Sequence, residues 1–391
     1  MANLASRVPL AIRRPGRLLS ASRSLIPLVV AASLFACGAE PAPIRLGLAG
    51  PFEQSRGESM RLAAELAVRE INDAGGIDGR PLELVVRDDG ADAERAVPIA
   101  REFVDDPTVI AVVGHLTSGT TLAAASTYGG QTTPLPVISP SASSPQLTDA
   151  GPWVFRVCPT DLVHGARLAA FAVDRLRARR AAVLYINDPY GRGVRAVFAN
   201  AFAERGGRIV TDDPYLDDLP SFTPYLERMR RLGGTDVVML AGTRVGAERV
   251  LATLDSLGLA PAVVGGDGIA GIEAAGRVAE GVYVSTAYLP DRPGERNVAF
   301  LRAYRAATGD RVPDHRGAGA YDAIHLLARG LAAVGPDRAR LRDWLAGVGT
   351  TTPAFDGVTG RIAFDTNGDV PDKDVVIGVV RGRRLVMVEG L

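Results

Sequence analysis

A cluster of four hydroxyl side chains follows an apolar segment in the first third of the chain. Where helical spacing begins, the stretch VVGHLTSGTT (112–121) carries Thr117, Ser118, Thr120 and Thr121. Hydroxyls at a helix start most often cap the unpaired N–H groups of the first turn. The same N–H groups, with the positive end of the helix dipole, also suit a carboxylate or phosphate. The stretch therefore predicts either a helix cap or an anion-binding site.

A glycine-rich motif later in the chain resembles a dinucleotide-binding loop. GGDGIAG (265–271) contains the spacing G-x-G-x-x-G and follows a strand-like segment. A true dinucleotide loop needs an acidic residue about 20 positions on, at the end of the next strand. Here that strand, GVYVST (281–286), leads into AYLP without a carboxylate. We therefore predict that the protein binds no nicotinamide and has no cofactor.

Motifs of hydrolases and metalloenzymes do not occur. The sequence has no G-x-S-x-G, no phosphate-binding lysine loop and no H-E-x-x-H. Its histidines lack metal-ligand spacing, and they are His115, His164, His315 and His325. Cys158 ends an apparent strand, which is typical of a buried, unreactive thiol. These observations predict a binding protein without a catalytic residue or a metal site.

The first 36 residues have the pattern of an export signal. Five arginines and no acidic residue precede SLIPLVVAASLFA (24–36), an apolar run too short to span a bilayer. The run ends at LFAC (34–37), which resembles the bacterial lipobox, and this predicts acylation of Cys37. The alternative is an ordinary signal peptide with a chance cysteine. We expect an exported protein, in the periplasm or on the cell surface, with an N-terminal lipid anchor.

The charge of the remaining chain argues against nucleic-acid binding. The leader contains five of the 44 basic residues and none of the 44 acidic ones, which leaves 39 basic against 44 acidic residues and a net charge of −5. Such a chain lacks the positive surface that the phosphate backbone requires. With Cys37 acylated, Cys158 has no partner within the chain for a disulfide.

Strand-like and helix-like segments alternate in two runs. The first run extends from IRLGLAG (44–50) to PLPVIS (134–139), and the second restarts after Pro159 and ends at GVYVST (281–286). Strands separated by helical patterns of 10 to 15 residues indicate βαβ units and parallel sheets. We predict an α/β fold with two doubly wound, Rossmann-like lobes. Further segments predict helices near 294–307, 314–334 and 338–346, and a β-rich end whose RGRR (381–384) forms a hairpin turn.

Seven segments occur in the order found in the Leu/Ile/Val-type solute-binding proteins of ABC importers, which are type I periplasmic binding proteins. They are IRLGLAGPF, AVREINDAGGIDGRPLELVVRDDGAD, VVGHLTSGTT, ISPSASSPQLT, FRVCPTDLVHG, NDPYGRG and GRIAFDTNGD. The resemblance covers about residues 43–391. It implies two lobes joined by three crossovers, near Pro159–Asp161, Thr286–Leu289 and Asp374, with the ligand enclosed between the lobes.

The resemblance also implies a division of the chain. After a lipoprotein signal peptide (1–36) and a lipidated tether (37–42), lobe 1 would contain 43–160 and 287–373. Lobe 2 would contain 161–286 and 374–391.

The family pattern assigns ligand-binding roles to several residues. The carboxylate of an amino acid would be held by Ser118 and by the segment Ser141, Ala142 and Ser143. The ligand ammonium would be received by Asp267, inside the glycine-rich motif, where the family commonly has a longer glutamate; the alternative role for Asp267 is a helix cap. Tyr190 and Asp161 match positions that line the cleft.

Two positions depart from the family. Binders of aliphatic amino acids carry an aromatic in the helix after the first strand, where we align Arg61. A second family aromatic aligns with Thr243. Because a buried, unpaired arginine is costly, either Arg61 points to solvent or the ligand carries a polar or acidic group.

The sequence thus predicts a monomeric solute-binding protein that delivers an amino-acid-like ligand to ABC permease subunits. A ligand-sensing subunit of the same fold and a secreted α/β enzyme remain alternatives.

Overall fold

The computed structural model describes residues 42–130 and 132–388. Cys37, the signal peptide and most of the tether lie outside these ranges. Within them, no helix combines the length and the apolar character that crossing a membrane would require.

The first sheet is parallel and built from the first run of strands. Its order is β2-β1-β3-β4-β5, and its strands are β1 (Ile44–Gly50), β2 (Leu82–Asp88), β3 (Val109–Val113), β4 (Val137–Ser139) and β5 (Val154–Arg156). All five residues of β3 are buried, as expected for a strand covered on both faces. The helices that connect these strands are α1 (Ser55–Asp73), α2 (Ala93–Asp105) and α3 (Ser118–Tyr128).

The second sheet repeats this order and adds a hairpin. Its order is β7-β6-β8-β9-β10-β13-β14, with β6 (Arg180–Ile186), β7 (Arg208–Tyr215), β8 (Val237–Ala241), β9 (Ala262–Gly265), β10 (Tyr283–Thr286), β13 (Val376–Arg381) and β14 (Arg384–Met387). The last two strands pair antiparallel across Gly382 and Arg383, which confirms the predicted hairpin. The accompanying helices are α4 (Asp161–Asp174), α5 (Pro189–Glu204), α6 (Thr223–Arg231) and α7 (Arg244–Ser256).

The three predicted later helices are confirmed, and they return to the first lobe. They are α8 (Glu295–Thr308), α9 (His315–Val334) and α10 (Arg338–Ala346), followed by the two-stranded ribbon β11 (Phe355–Gly357) and β12 (Gly360–Ile362). Ile324, Leu327 and Phe364 from this region share one apolar core with Leu46 and Val113 of the first sheet.

The chain therefore passes between the lobes after β5, after β10 and before β13. Each sheet contains a point where the strand order reverses, between β1 and β3 in the first and between β6 and β8 in the second. In open parallel sheets, the loops that leave the carboxyl ends of the strands diverge at this point and leave a crevice. Such crevices in the two lobes provide a place for a ligand.

Candidate ligand-binding site

A cleft of about 1030 Å³ is lined by residues of both lobes. The first lobe contributes loops that follow β1, β3 and β4, including Ser55, Arg56, Ser118 and Ser141. The second lobe contributes loops that follow β6, β8 and β9, which carry Tyr190, Thr243 and Asp267. The cleft thus lies at the carboxyl ends of the strands in both sheets.

The hydroxyl cluster of 117–121 contains helix-capping residues and two residues that line the cleft, Thr117 and Ser118. Thr117 is the N-cap of α3, and its hydroxyl accepts a bond from the Thr120 N–H at 3.3 Å. The Thr120 and Thr121 hydroxyls donate back to the Thr117 carbonyl at 3.0 and 2.7 Å. Ser118 does not act as a cap, and its Oγ accepts from the Ser144 N–H at 3.1 Å. The stretch is therefore a helix cap in part, and its role as an anion-binding site stays a prediction.

The loop after β4 brings two further serines to the same region. Ser141 lines the cleft, and its Oγ lies 3.2 Å from His315 Nε2. The Ser143 Oγ is buried and has no hydrogen-bond partner among the described residues. Ser118, Ser141 and Ser143 are called the serine cluster below.

Ala142 lies behind the serine cluster. Its side chain is buried, and its N–H donates to Ser139 Oγ at 3.0 Å. Its carbonyl oxygen accepts from Cys158 Sγ at 3.5 Å. The Ala142 N–H is thus already bonded within the lobe, and a role for Ala142 in holding the ligand carboxylate stays a prediction.

The second lobe contributes Tyr190 and Thr243. The Tyr190 hydroxyl accepts from the Gly268 N–H at 2.8 Å, which links α5 to the loop that carries Asp267. Burial raises the pKa of Tyr190 well above its ordinary value, so the phenol stays neutral. Thr243 is the N-cap of α7, and its hydroxyl donates to Asp217 Oδ1 at 2.9 Å.

Asp267 is the buried charge of the cleft. Its Oδ2 lies 3.5 Å from His315 Nε2 and 3.9 Å from His164 Nε2, and its Oδ1 has no partner within the described ranges. Burial opposes ionisation of Asp267, but His164, His315 and Arg316 lower the pKa of its carboxyl. Arg316 is the one of these three that stays charged at neutral pH, since the pKa values of both histidines are themselves lowered. Burial and Arg316 lower the pKa of His315 to about 4. At neutral pH, an ionised carboxylate therefore stands beside a neutral imidazole.

Asp161 is a second buried carboxyl close to this charge. It begins α4, its side chain is fully buried, and neither oxygen finds a hydrogen bond in the described part of the chain. Burial, followed by the charge of Asp267, raises its pKa well above the ordinary value. At neutral pH the Asp267 carboxyl is therefore ionised and the Asp161 carboxyl is protonated, so the two together carry one negative charge. The site is thus suited to a single ammonium group.

Arg61 is not part of the cleft. Its side chain is half exposed, and its Nε donates to Glu65 one turn along α1 at 2.8 Å. The arginine that lines the cleft is Arg56, in the first turn of α1. The alignment of Arg61 with the ligand is corrected, because only the start of α1 faces the crevice at the end of β1.

These features match a known group of proteins. The model of the family described as periplasmic binding protein matches residues 44–384. The chain belongs to this family. The family takes its name from a location outside the cytoplasm, and its members bind solutes for transport.

Relatives of this binding protein with known names share its full architecture. It is 28% identical to the "Amino acid binding protein" of Pseudomonas aeruginosa over 345 residues, covering 86% of this chain and 90% of that one. Among solved structures, it resembles a substrate-binding protein from Desulfitobacterium hafniense in complex with Leu (31% identity, TM-score 0.76, covering 89% and 100% of the two chains). It also resembles the branched-chain amino acid binding protein LivJ from Streptococcus pneumoniae in complex with isoleucine (26% identity, TM-score 0.81, covering 88% and 99%).

Sequence reasoning missed several cleft residues of this binding protein. Arg316 donates across the cleft to the carbonyls of Asp267 and Gly268, both at 3.3 Å, and to Asp314 at 2.7 Å. His315 and Arg316 begin α9, which returns to the first lobe after the second crossover, so no local motif indicates their role. Arg56 could have been found, because it follows the end of β1, where ligands bind in such sheets.

Cys158 is buried, and burial raises the pKa of its thiol to about 12. The thiol therefore stays protonated. Within the ranges that the structure describes, no three His, Cys, Asp or Glu side chains are grouped as a metal site.

Proposed function

We propose that this protein is an extracytoplasmic solute-binding protein of an ABC importer, that it binds a small amino-acid-like ligand in the cleft, and that it delivers this ligand to the permease. The observation that carries the proposal is the ionised, buried carboxylate of Asp267 with one unsatisfied oxygen. This oxygen, Oδ1, is a buried acceptor without a hydrogen-bond partner among the described residues, which is costly. A ligand ammonium would satisfy it.

The serine cluster would hold the ligand carboxylate. The Ser143 hydroxyl is buried and unpaired. The Ser118 hydroxyl accepts one bond at 3.1 Å and retains its own hydrogen for donation. The first N–H groups of α3 lack intrahelical acceptors and lie at the positive end of its dipole. Hydroxyl and N–H donors of this kind can bind a carboxylate without a formal counter-charge.

Closure would couple binding to delivery. Arg316 of the first lobe already reaches two carbonyls of the second, and Arg244 of the second lobe donates to Ser55 of the first at 3.1 Å. A ligand that contacts both lobes adds to these bonds and favours the closed form. The binding step involves no chemical change. We further propose a lipid anchor at Cys37 and a monomeric state.

A screen of the mature protein, from residue 37 on, tests the proposal. Thermal shift should reveal stabilisation by at least one compound in a panel of amino acids, small carboxylates and amides, and calorimetry should confirm binding at one site. Stabilisation only by compounds without an ammonium or a carboxylate would contradict it, as would turnover of the bound compound.

A further inference from the structure

Arg56 and Asp217 face each other across the cleft from opposite lobes. Arg56 lies in the first turn of α1, and Asp217 lies in the loop between β7 and α6. Both line the cleft, and Arg56 Nη2 is 3.9 Å from Asp217 Oδ2. This distance is too long for a hydrogen bond. The two groups form an ion pair without a direct hydrogen bond, so the Nη donors and the Oδ2 acceptor keep hydrogen-bonding capacity for a ligand.

The remaining contacts of these two side chains leave the facing atoms available. Arg56 donates through Nε to Gln54 at 2.7 Å, and its terminal nitrogens donate no hydrogen bond to the described residues. Asp217 accepts from Thr243 at its other oxygen, Oδ1, at 2.9 Å. Gln54 binds the Nε atom of Arg56, and Thr243 binds the Oδ1 atom of Asp217. The Nη donors of Arg56 and the Oδ2 acceptor of Asp217 therefore remain available in the same part of the cleft.

Two other arginines that line the cleft, Arg244 and Arg316, are already hydrogen-bonded. Arg244 bonds Glu248 and Ser55, and Arg316 bonds Asp314 and two backbone carbonyls. Acidic groups nearby include Asp188 and Glu273, and the Oε2 atom of Glu273 is buried with no partner among the described residues. Acidic groups of the cleft therefore offset the charge of Arg56 in part, and Asp217 is the one that forms an ion pair with its guanidinium, at 3.9 Å, in the described part of the chain.

Three kinds of ligand end group would each leave this pair unsatisfied. A carboxylate would pair with Arg56 but face the carboxylate of Asp217. An ammonium would pair with Asp217 but face the guanidinium. An aliphatic side chain would displace the water that hydrogen-bonds to both charged groups and would offer no hydrogen bond in its place. Such a loss of hydrogen bonds is costly. A carboxamide has a carbonyl acceptor and an NH₂ donor on one carbon. It can satisfy both groups and adds no charge.

We propose that the ligand of this cleft is an amino acid whose side chain ends in a carboxamide, held between Arg56 of one lobe and Asp217 of the other. This inference rests on the proposed function, since the ammonium and carboxylate of the ligand would occupy Asp267 and the serine cluster. It narrows the prediction of a polar or acidic ligand to a neutral, hydrogen-bonding one. It also replaces Arg61 with Arg56 as the residue that meets the far end of the ligand.

Calorimetry on the wild-type mature protein tests the class of ligand. Asparagine and glutamine are titrated against aspartate, glutamate, leucine and lysine under the same buffer and salt. The better of the two amides should bind at least tenfold more tightly than each of the other four. Tightest binding of leucine, of an acidic amino acid or of lysine would overturn the inference. If none of the six binds, the inference is overturned, and the wider thermal-shift screen described above decides the proposed function separately.

Two variants test the residues, with a matched control. Arg56→Leu should weaken amide binding tenfold or more, while leucine binding stays equal or improves. Asp217→Asn removes the opposing charge, so the preference should move from the amide toward the amino acid with the corresponding carboxylate. The control is Arg61→Leu, which replaces an arginine by leucine on the solvent side of the same helix, five residues after Arg56. It should leave all affinities within twofold of the wild-type values.

The change in affinity for each ligand shows whether the Arg56–Asp217 pair selects the ligand or only helps to close the lobes. If Asp217→Asn and Arg56→Leu weaken every ligand by the same factor, the pair only helps to close the cleft and the inference is overturned. Such a result would leave the proposed function standing, because amino acids would still bind.

Discussion

Acidification should destabilise this protein through His315. The imidazole is buried at the start of α9, beside the guanidinium of Arg316, and its pKa is lowered from 6.5 to about 4. A group with a lower pKa in the folded state takes up a proton on unfolding. The free energy of unfolding therefore falls as the pH drops from 6.5 to about 4. At about 1.4 kcal/mol per pH unit, this interval corresponds to a loss on the order of 3 kcal/mol.

Replacement of His315 isolates this contribution. His315→Gln keeps an amide that can reach Ser141 Oγ, which lies 3.2 Å from the imidazole Nε2, but it cannot titrate. Urea unfolding of wild type and variant is measured at pH 7 and pH 4.5. Asp161, Asp188 and Glu273, whose pKa values are raised by burial, titrate in both proteins and cancel in the comparison.

The wild type should lose more stability than the variant on acidification, by about 2 kcal/mol for about two pH units. At pH 7 the imidazole is neutral, so the two proteins are compared there to measure the packing cost of the substitution alone. Equal losses in the two proteins would show that burial does not hold His315 neutral. The electrostatic description of the cleft, in which the ionised Asp267 and Arg316 flank a neutral imidazole, would then be refuted.

Three further predictions concern other residues. Removal of the unpaired hydroxyl in Ser143→Ala should weaken amino-acid binding by about 1–3 kcal/mol with little change in the melting temperature, and a lowered melting temperature with intact affinity would assign the hydroxyl to the fold. The buried Cys158 thiol, with a pKa of about 12, should resist alkylation at pH 8 in the native protein and react in urea, as followed by mass spectrometry; rapid native labelling would contradict its burial. Cys37→Ser should move the protein from the membrane fraction to the soluble fraction, and unchanged fractionation with an unmodified N-terminal mass would rule out acylation.

The sequence supported the fold well because the decisive signals are local. Helical spacing over Met60, Ala64 and Ala67 and the apolar run of β3 are present in adjacent residues, and all are buried as such patterns predict. The repeated alternation of strands and helices was enough to predict two doubly wound lobes, and the RGRR segment was enough to predict the final hairpin.

The cleft was harder to predict because its residues meet only after the chain crosses between lobes. His315 and Asp267 are distant in sequence and meet at 3.5 Å only in the folded protein. Arg61 failed as a prediction because one and a half helical turns separate it from Arg56 and place it on the solvent side, beside Glu65. The glycine-rich motif contributes Asp267, the buried charge of the cleft, and the absence of dinucleotide binding stays a prediction.

The most direct test of the account is calorimetric titration of Asp267→Asn with the amino acid that binds the wild type best. Asparagine keeps the size of the side chain and removes the charge that would hold the ligand ammonium. Loss of one partner of a buried, hydrogen-bonded charge pair costs about 2–5 kcal/mol, so the dissociation constant should rise at least 30-fold. Because the pKa of Asp267 is lowered in the folded protein, its charge stabilises the fold. The unliganded variant should therefore melt below the wild-type temperature, and the titration is run well below both melting temperatures. An unchanged dissociation constant would contradict the account.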